Sequence, residues 1–167
     1  LYRYDMIKQP DVLMFLFLHN SEFPLELKRV NYEYYEPRCI HESSLSPSIH
    51  SILAAEIGGH EQALAYFQFA TRMDLDNYNR NTDQGLHTTS IAAAWMNIVY
   101  GFGGMRSDGP LLGFAPSIPG HWQSYTFRVC YRGSALEVRV DQVLARFRVA
   151  DGPPGTVGIY GVSRGVG

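Results

Sequence analysis

Hydrophobic residues recur at helical spacing in the first hundred positions and alternate with polar residues afterwards. Residues 11–19 are apolar on almost every side, which predicts a buried helix. Further helices are predicted over residues 24–35, 46–57, 60–73 and 87–100. In the fourth helix, Ala63, Tyr66, Phe67 and Ala70 form one apolar stripe.

Proline, serine and glycine mark the ends of these helices. Ser21 and Ser46 are predicted N-caps, because a serine side chain accepts a hydrogen bond from a free backbone N–H of the first turn. Pro37 ends the second helix, since the residue before a proline is pushed out of the helical region. The Gly58-Gly59 pair stops the third helix.

The second part of the chain begins after GFGG, residues 101–104, and predicts short antiparallel strands. The strands are expected within residues 124–133, 134–141, 143–150 and 156–161. Phe127, Val129 and Tyr131 fall on one face. The pairs Arg132-Gly133 and Asp151-Gly152 supply turn residues. These elements predict a small, sandwich-like β domain.

The fold class expected from this pattern is α+β. Paired helices joined by short and long loops in alternation indicate a helical hairpin array or an (α/α) barrel. We place the boundary between a helical domain, 1–106, and a β domain, 107–167.

Composition narrows the function classes. The net charge of −2 and the charged fraction of 18% give no indication of a nucleic-acid or membrane partner. The apolar run VLMFLFL is shorter than the roughly 20 residues that span a bilayer. The two cysteines are too few for a disulfide framework, so a reducing cytoplasm is the expected setting.

Several chemical signatures are missing from the sequence. It contains no CxxC pair and no HExxH, so we expect no metal site. It contains no GxSxG elbow. The glycine-rich GFGGMRSDG follows a helix and precedes strands, the wrong order for a dinucleotide fold, and is interpreted as an interdomain hinge. No cofactor is expected.

Polar residues at helix entrances are the candidate functional residues. Ser43 and Ser44, in the bend EPRCIHESSLSPS, precede the third helix, whose first backbone N–H groups attract anions. His87 precedes the fifth helix, and Lys8-Gln9 precede the first. Each is also consistent with a cap, a turn or a solvated side chain. Glu36 and Arg38, on either side of Pro37, are a candidate structural ion pair.

Long stretches of the chain resemble glycoside hydrolase family 65. The resemblance is carried by KQPDV, NYEYYEPRCIHESSLSPSIHSILAAEIG, TDQGLHTTSIAAAWMNIVYGFGGMR and FRVCYRG, and extends to about residue 140. It implies the C-terminal half of an (α/α)6 barrel followed by a small β domain. The family includes inverting phosphorylases of maltose, trehalose, kojibiose and nigerose, with inorganic phosphate as co-substrate.

The resemblance implies roles for particular residues. It assigns phosphate binding to Ser43, Ser44 and His87. It assigns the glucosyl pocket to Lys8 and Gln9. The candidates for contacts to the sugar are completed by Glu36 and His41. Glu42 stands where the family commonly has Asp, Pro10 where it has Ala, and Cys39-Ile40 where it has a Thr-Ser-like pair. These departures leave the preferred disaccharide open.

The resemblance also implies a general acid, a Glu that we expect upstream of Leu1. We therefore expect the isolated 167-residue chain to be inactive, and the full-length enzyme to be a homodimer. Hydrolysis, with Glu42 near the anion site, is one alternative to phosphorolysis. A non-catalytic carbohydrate-binding fragment is another.

Overall fold

The computed structural model describes residues 5–167 and divides into two compact units, Leu1–Asn97 and Ile98–Gly167. The first unit is helical and the second consists mainly of strands. The described helices are α1 (Asp11–Leu18), α2 (Leu25–Tyr35), α3 (Ser46–Glu56), α4 (His60–Arg72) and α5 (Thr88–Met96). The strands are β1 (Gly113–Phe114), β2 (Ser124–Tyr131), β3 (Ser134–Asp141), β4 (Ala145–Asp151), β5 (Gly155–Ile159) and β6 (Val162–Val166).

Helix α3 is the centre of the helical unit. Every residue from Ser46 to Ala55 is buried, and the helix contacts α1, α2, α4 and α5. Its buried serines have hydrogen-bond partners. The Ser51 hydroxyl donates to the Ala63 carbonyl of α4 at 2.7 Å, and the Ser48 hydroxyl donates to the Leu45 carbonyl at 3.2 Å. Because the helix is buried on all sides, Ser46, Ser48, His50 and Ser51 lie in the core together with the apolar residues 52–55.

The predicted helices are confirmed, with two corrections at their starts. Ser21 lies inside a 3₁₀ turn, and the residue that precedes α2 is Pro24. Ser46 is the first residue of α3 rather than its cap, and Leu45 occupies the cap position. Gly58, at a φ of 89°, follows the end of α3 as expected, because glycine adopts this left-handed conformation without strain.

The fifth helix differs from its prediction. The α-helical part ends at Met96, and residues Asn97–Phe102 continue as a π-helix. In the second unit, a side chain at Gly103 would approach the Phe127 ring to 2.8 Å. The glycine is therefore required there for close packing.

Two three-stranded sheets form the second unit. One has the order β2-β3-β4 and is antiparallel throughout; the other has the order β1-β5-β6. The short pair β1–β5 is parallel, which the strand pattern did not predict. In β2, Phe127 is buried while Val129 and Tyr131 are half-buried on the same face, as the alternation predicts.

Turn chemistry explains the tight hairpins. Arg132 and Gly133, which join β2 to β3, have φ values of 49° and 82°. Tyr160 and Gly161, which join β5 to β6, repeat this geometry at 47° and 77°. Two successive positive φ values are typical of the turn that matches strand twist in a two-residue hairpin.

None of the helices in residues 5–167 has the length and apolar character needed to cross a membrane. Mixed helices and small sheets are confirmed, whereas the (α/α)6 barrel and the boundary at residues 106/107 stay predictions.

Candidate functional site

The bend that carries the serines is fixed at its beginning by backbone hydrogen bonds. The Ile7 N–H donates to the Arg38 carbonyl at 2.9 Å, and the Ile40 N–H donates to the Ile7 carbonyl at 3.1 Å. These bonds bring the chain before Lys8-Gln9 alongside Cys39. Lys8 is exposed, and the buried Oε1 of Gln9 has no hydrogen-bond partner among the described residues.

A directed chain of hydrogen bonds runs through this bend from Ser46 to Glu36. Tyr66 of α4 donates its hydroxyl to Glu36 Oε1 at 2.6 Å. Having one proton, the Tyr66 oxygen then accepts from His41 Nε2 at 2.9 Å. His41 Nδ1 in turn accepts from the Ser46 hydroxyl at 3.1 Å. The structure thus connects two sugar-pocket candidates, Glu36 and His41, through a tyrosine that the sequence placed on an apolar stripe.

Burial keeps the histidines and tyrosines in and around this hydrogen-bond network neutral. It lowers the pKa of His41, and it lowers that of the fully buried His50 to about 3. It also raises the pKa of Tyr66 and of Tyr32. Desolvation penalises the charged form of each group, so imidazole and phenol are the forms present near neutral pH.

The expected ion pair between Glu36 and Arg38 is wrong. Glu36 accepts from Tyr66, whereas Arg38 donates to Asp5 at 2.6 Å and to the Tyr34 carbonyl at 2.7 Å. Arg38 also lies over the Tyr34 ring, 4.0 Å from its centroid. Glu36 and Arg38 are the first and last residues of a 3₁₀ turn, Glu36–Arg38, and their side chains bond different partners.

Ser43 and Ser44 lie half-buried at the turn before α3, and Glu42 beside them is exposed. The Ser43 hydroxyl oxygen accepts from the Leu45 N–H at 3.3 Å, which still leaves its proton available as a donor. Among the described residues no side chain caps α3, so the backbone N–H groups of its first turn, to which Pro47 contributes none, lie beside these hydroxyls. Hydroxyl and amide donors of this kind suit an anion.

The entrance of α5 meets the same bend. The Ser90 hydroxyl, in the first turn of α5, lies 3.5 Å from the Ser44 carbonyl, at the limit of a hydrogen bond. His87 occupies the cap position of α5. The helix N-terminus with His87 and the helix N-terminus with the serines therefore belong to neighbouring elements.

Asp74 holds His87 in place and was missed by the sequence reasoning. One carboxylate oxygen of Asp74 accepts from the His87 N–H at 2.7 Å, and the other lies 2.5 Å from His87 Nδ1. The hydrogen bond from the His87 ring lowers the pKa of Asp74. Because Nδ1 is committed to Asp74, Nε2 is the nitrogen left for a ligand, and it donates when the ring is protonated. The available signal was an Asp at the start of a polar loop, which by itself identifies no partner.

Comparison with protein families assigns both parts of the chain. Residues 1–96 match the model described as the glycosyl hydrolase family 65 central catalytic domain, and residues 105–163 match the family's C-terminal domain. The first match covers more than half of the chain.

Individual relatives agree with this assignment. Maltose phosphorylase of Bacillus subtilis (strain 168) is 46% identical over 158 residues, which make up 95% of this chain and 21% of that protein. Alpha,alpha-trehalose phosphorylase of Thermoanaerobacter brockii is 44% identical over 92% of this chain and 20% of its own length. The chain thus spans about a fifth of the curated relatives that it matches.

A solved structure gives the same result in three dimensions. A chain from the human microbiome, described as a candidate kojibiose phosphorylase, superposes with a TM-score of 0.93 at 48% identity. The superposition covers 99% of this chain and 22% of that one. The matched domains, the relatives and this superposition together show that the chain belongs to glycosyl hydrolase family 65.

Proposed function

We propose that the protein to which this chain belongs phosphorolyses an α-linked glucose disaccharide with inversion, giving β-glucose 1-phosphate and glucose. Family membership and the phosphorylases among its relatives support this reaction class. The observation that carries the proposal is the meeting of two uncapped helix entrances, one with Ser43-Ser44 and one with His87.

In this proposal the anion donors bind inorganic phosphate. The hydroxyls of Ser43 and Ser44 and the first N–H groups of α3 donate to its oxygens, and His87 Nε2 donates from the α5 entrance. Asp74 orients the His87 ring through the contact with Nδ1. Lys8, Gln9, Glu36 and His41 contact the glucosyl residue, with Glu36 and His41 positioned by Tyr66.

The reaction balances with phosphate as nucleophile. A phosphate oxygen forms a bond to the anomeric carbon on the face opposite to the leaving group, and the glycosidic C–O bond breaks. The leaving oxygen takes a proton from a general acid, which we assign to no residue of this chain. Because the general acid is assigned to no residue of this chain, we expect the 167-residue chain alone to give no turnover. The proposed reaction uses no cofactor.

Hydrolysis is the second candidate, and one observation favours it. Glu42, beside the two serines, is exposed, and an inverting hydrolase needs a carboxylate that activates water. We prefer phosphorolysis because the neighbouring groups are neutral donors rather than a second acid.

The test uses the complete protein with maltose, trehalose, kojibiose and nigerose, each with and without inorganic phosphate. Glucose 1-phosphate and free glucose are measured together, and the anomer is read by NMR. Phosphate-dependent β-glucose 1-phosphate is the expected result. Glucose released equally without phosphate contradicts phosphorolysis and favours the hydrolase, whereas binding of sugar without any product favours a non-catalytic role.

Two further parts of the proposal concern the setting of the protein. We propose a reducing, cytoplasmic location, supported by two free cysteines, Cys39 and Cys130. We also propose a homodimer, which light scattering of the complete protein tests directly.

A further inference from the structure

Cys39 and His50 have no part in the proposed phosphorolysis, yet they lie directly beside His41. One potential ligand atom of each of the three residues lies within 4.8 Å of the other two. Cys39 is 8% exposed and His50 is fully buried. Thiolate sulfur and neutral imidazole nitrogen are the ligands that zinc and similar transition metals prefer.

His50 lacks the hydrogen bonds that a buried imidazole normally has. Neither of its ring nitrogens has a partner in the part of the chain that the structure describes. Its ring meets the edge of His41, with centroids 4.4 Å apart, and the edge of Tyr66 at 5.5 Å. A buried polar group without a partner costs about 1–3 kcal/mol, so the site is incomplete without a further species.

His41 has the arrangement of a metal-binding histidine. Its Nε2–H is directed at Tyr66, which is itself bonded to the Glu36 carboxylate. Ligating histidines commonly donate their second N–H to such a partner, which fixes the ring and raises its basicity. The remaining nitrogen, Nδ1, has a lone pair whose one hydrogen-bond partner within residues 5–167 is the Ser46 hydroxyl at 3.1 Å, the longest of the three hydrogen bonds from Ser46 to Glu36.

The three candidate ligand atoms need to move only slightly closer together to bind one metal ion. Ligand atoms in a tetrahedral zinc site with sulfur and nitrogen donors are about 3.3–3.6 Å apart. Cys39 and His41 lie in a non-helical bend, where His41 has a φ of 47°. Side-chain rotation in this bend can close the gap, while His50 stays fixed in α3.

We propose that Cys39, His41 and His50 bind a transition-metal ion of the zinc class between α3 and the bend that precedes it; in this arrangement His41 binds the metal through Nδ1 instead of contacting the glucosyl residue. The Cys39 thiol loses its proton to solvent as the metal–sulfur bond forms. Three protein ligands leave a fourth position for water. The spacing C-x-H followed nine residues later by H matches no metal motif, so the proposal departs from the expectation of no metal site.

The experiment measures metal directly and does not depend on catalysis. The complete protein is purified from zinc-supplemented medium, dialysed without chelator and analysed for zinc by mass spectrometry. The apoprotein is then titrated with Co²⁺ while the near-ultraviolet thiolate-to-cobalt absorption is recorded. Cys39→Ser removes the thiolate, and Cys130→Ser, at an exposed position of β2, is the matched control.

We expect the wild type and Cys130→Ser to retain stoichiometric zinc and to show the thiolate-to-cobalt absorption band. We expect Cys39→Ser to bind metal at least tenfold more weakly and to show no such band. Equal zinc in the wild type and Cys39→Ser overturns the proposal. Absence of the band from the folded wild type overturns it as well, and this result stands even where the variant fails to fold. Water as the partner of His50 gives that second outcome.

Discussion

The two units differ in where they keep their polar groups. The buried polar and charged residues of the described chain all lie in the helical unit: Lys28, Ser46, Ser48, His50, Ser51, Ser90 and Asn97. The charged pairs of the β unit are at the surface instead. Glu137 of β3, for example, bonds Arg128 and Arg148 across the strands.

This difference separates a unit specified by polar contacts from one specified by packing. A buried polar group must find its partner or destabilise the fold, so α3 and its neighbours tolerate few arrangements. Exposed ion pairs contribute little, and the β unit depends on the apolar pairs of its sheets, such as Phe127 opposite Val138. The residues proposed for phosphate and sugar binding also lie in the helical unit, at half-buried or exposed positions.

The largest expected effect is a loss of stability when a buried charged residue of the helical unit is replaced. Lys28, 2% exposed, donates to Glu56 at 2.7 Å and also to Asn20. We expect Lys28→Ala to lower the free energy of unfolding by about 3 kcal/mol, because Glu56 and Asn20 each lose a hydrogen bond from a buried charged donor. Urea denaturation followed by circular dichroism measures it. Arg128→Ala in the β unit is the control, with no measurable shift expected; equal losses in both variants contradict the contrast.

The next effect concerns activity rather than stability. In the complete protein, His87→Ala should reduce kcat/KM for phosphate about 100-fold, because one preorganised donor to the anion is lost. Folding should change little, since His87 is half-buried at a helix start. His121→Ala, the same change at an exposed position of the β unit, should leave phosphate use unchanged. Wild-type phosphate dependence in His87→Ala would remove His87 from the proposed site.

The packing of the β unit is tested by two glycines. We expect Gly103→Ala to cost about 1–3 kcal/mol, because its new methyl would lie 2.8 Å from the Phe127 ring and 2.6 Å from the Val99 carbonyl oxygen. Gly120→Ala, where nothing lies within 4 Å, should be neutral or slightly stabilising. Thermal unfolding measures both, and similar midpoints for the two variants would show that Gly103 is not closely packed.

The smallest expected effect is a dependence of the free energy of unfolding on pH, which arises from histidines of the helical unit. The pKa of His50 is about 3 in the fold against 6.5 for the free side chain, so the unfolded chain binds the extra proton between these values. Stability is complete above pH 6.5 and falls by at most about 1.4 kcal/mol for each pH unit below it. His41, whose pKa burial also lowers, acts in the same direction.

Unfolding titrations of the metal-free protein between pH 7 and 5 measure this slope. His60→Gln, at the exposed start of α4, should keep the wild-type slope, and His50→Gln should flatten it. An unchanged slope in His50→Gln means that His50 is not the group that titrates.

Local signals predicted most of the fold. Gly58 followed the end of α3 and Arg132-Gly133 formed the tight turn, both as predicted. Helix α2 ended at Tyr35, but Glu36, directly before Pro37, keeps helical angles (φ −58°, ψ −53°) and the chain continues through Pro37 as a 3₁₀ turn, so the prediction that Pro37 forces the preceding residue out of the helical region is wrong. The change to a π-helix at Asn97 lay outside these rules, since it changes the hydrogen-bond register of a helix without a distinctive residue pattern.

Part of the candidate site was accessible from the residues and the family resemblance. Both directed attention to Ser43, Ser44 and His87 at helix entrances, and their phosphate role stays a prediction. Asp74 was missed because it lies 13 residues before His87, a spacing with no local meaning. Tyr66 was assigned to the apolar stripe because a tyrosine ring fits that pattern, although its hydroxyl bonds Glu36 and His41.

The sequence by itself determined the elements, the two-part organisation and the family, because periodicity, turn residues and long motifs are local or linear properties. Tertiary structure alone decided which polar groups are partners. The pairing of Glu36 with Tyr66, of His87 with Asp74, and of Cys39 with His41 and His50 depends on helices packing around α3. Contacts between residues distant in the chain form only when that core assembles, and burial then lowers the pKa of His41 and His50 and raises that of Tyr66.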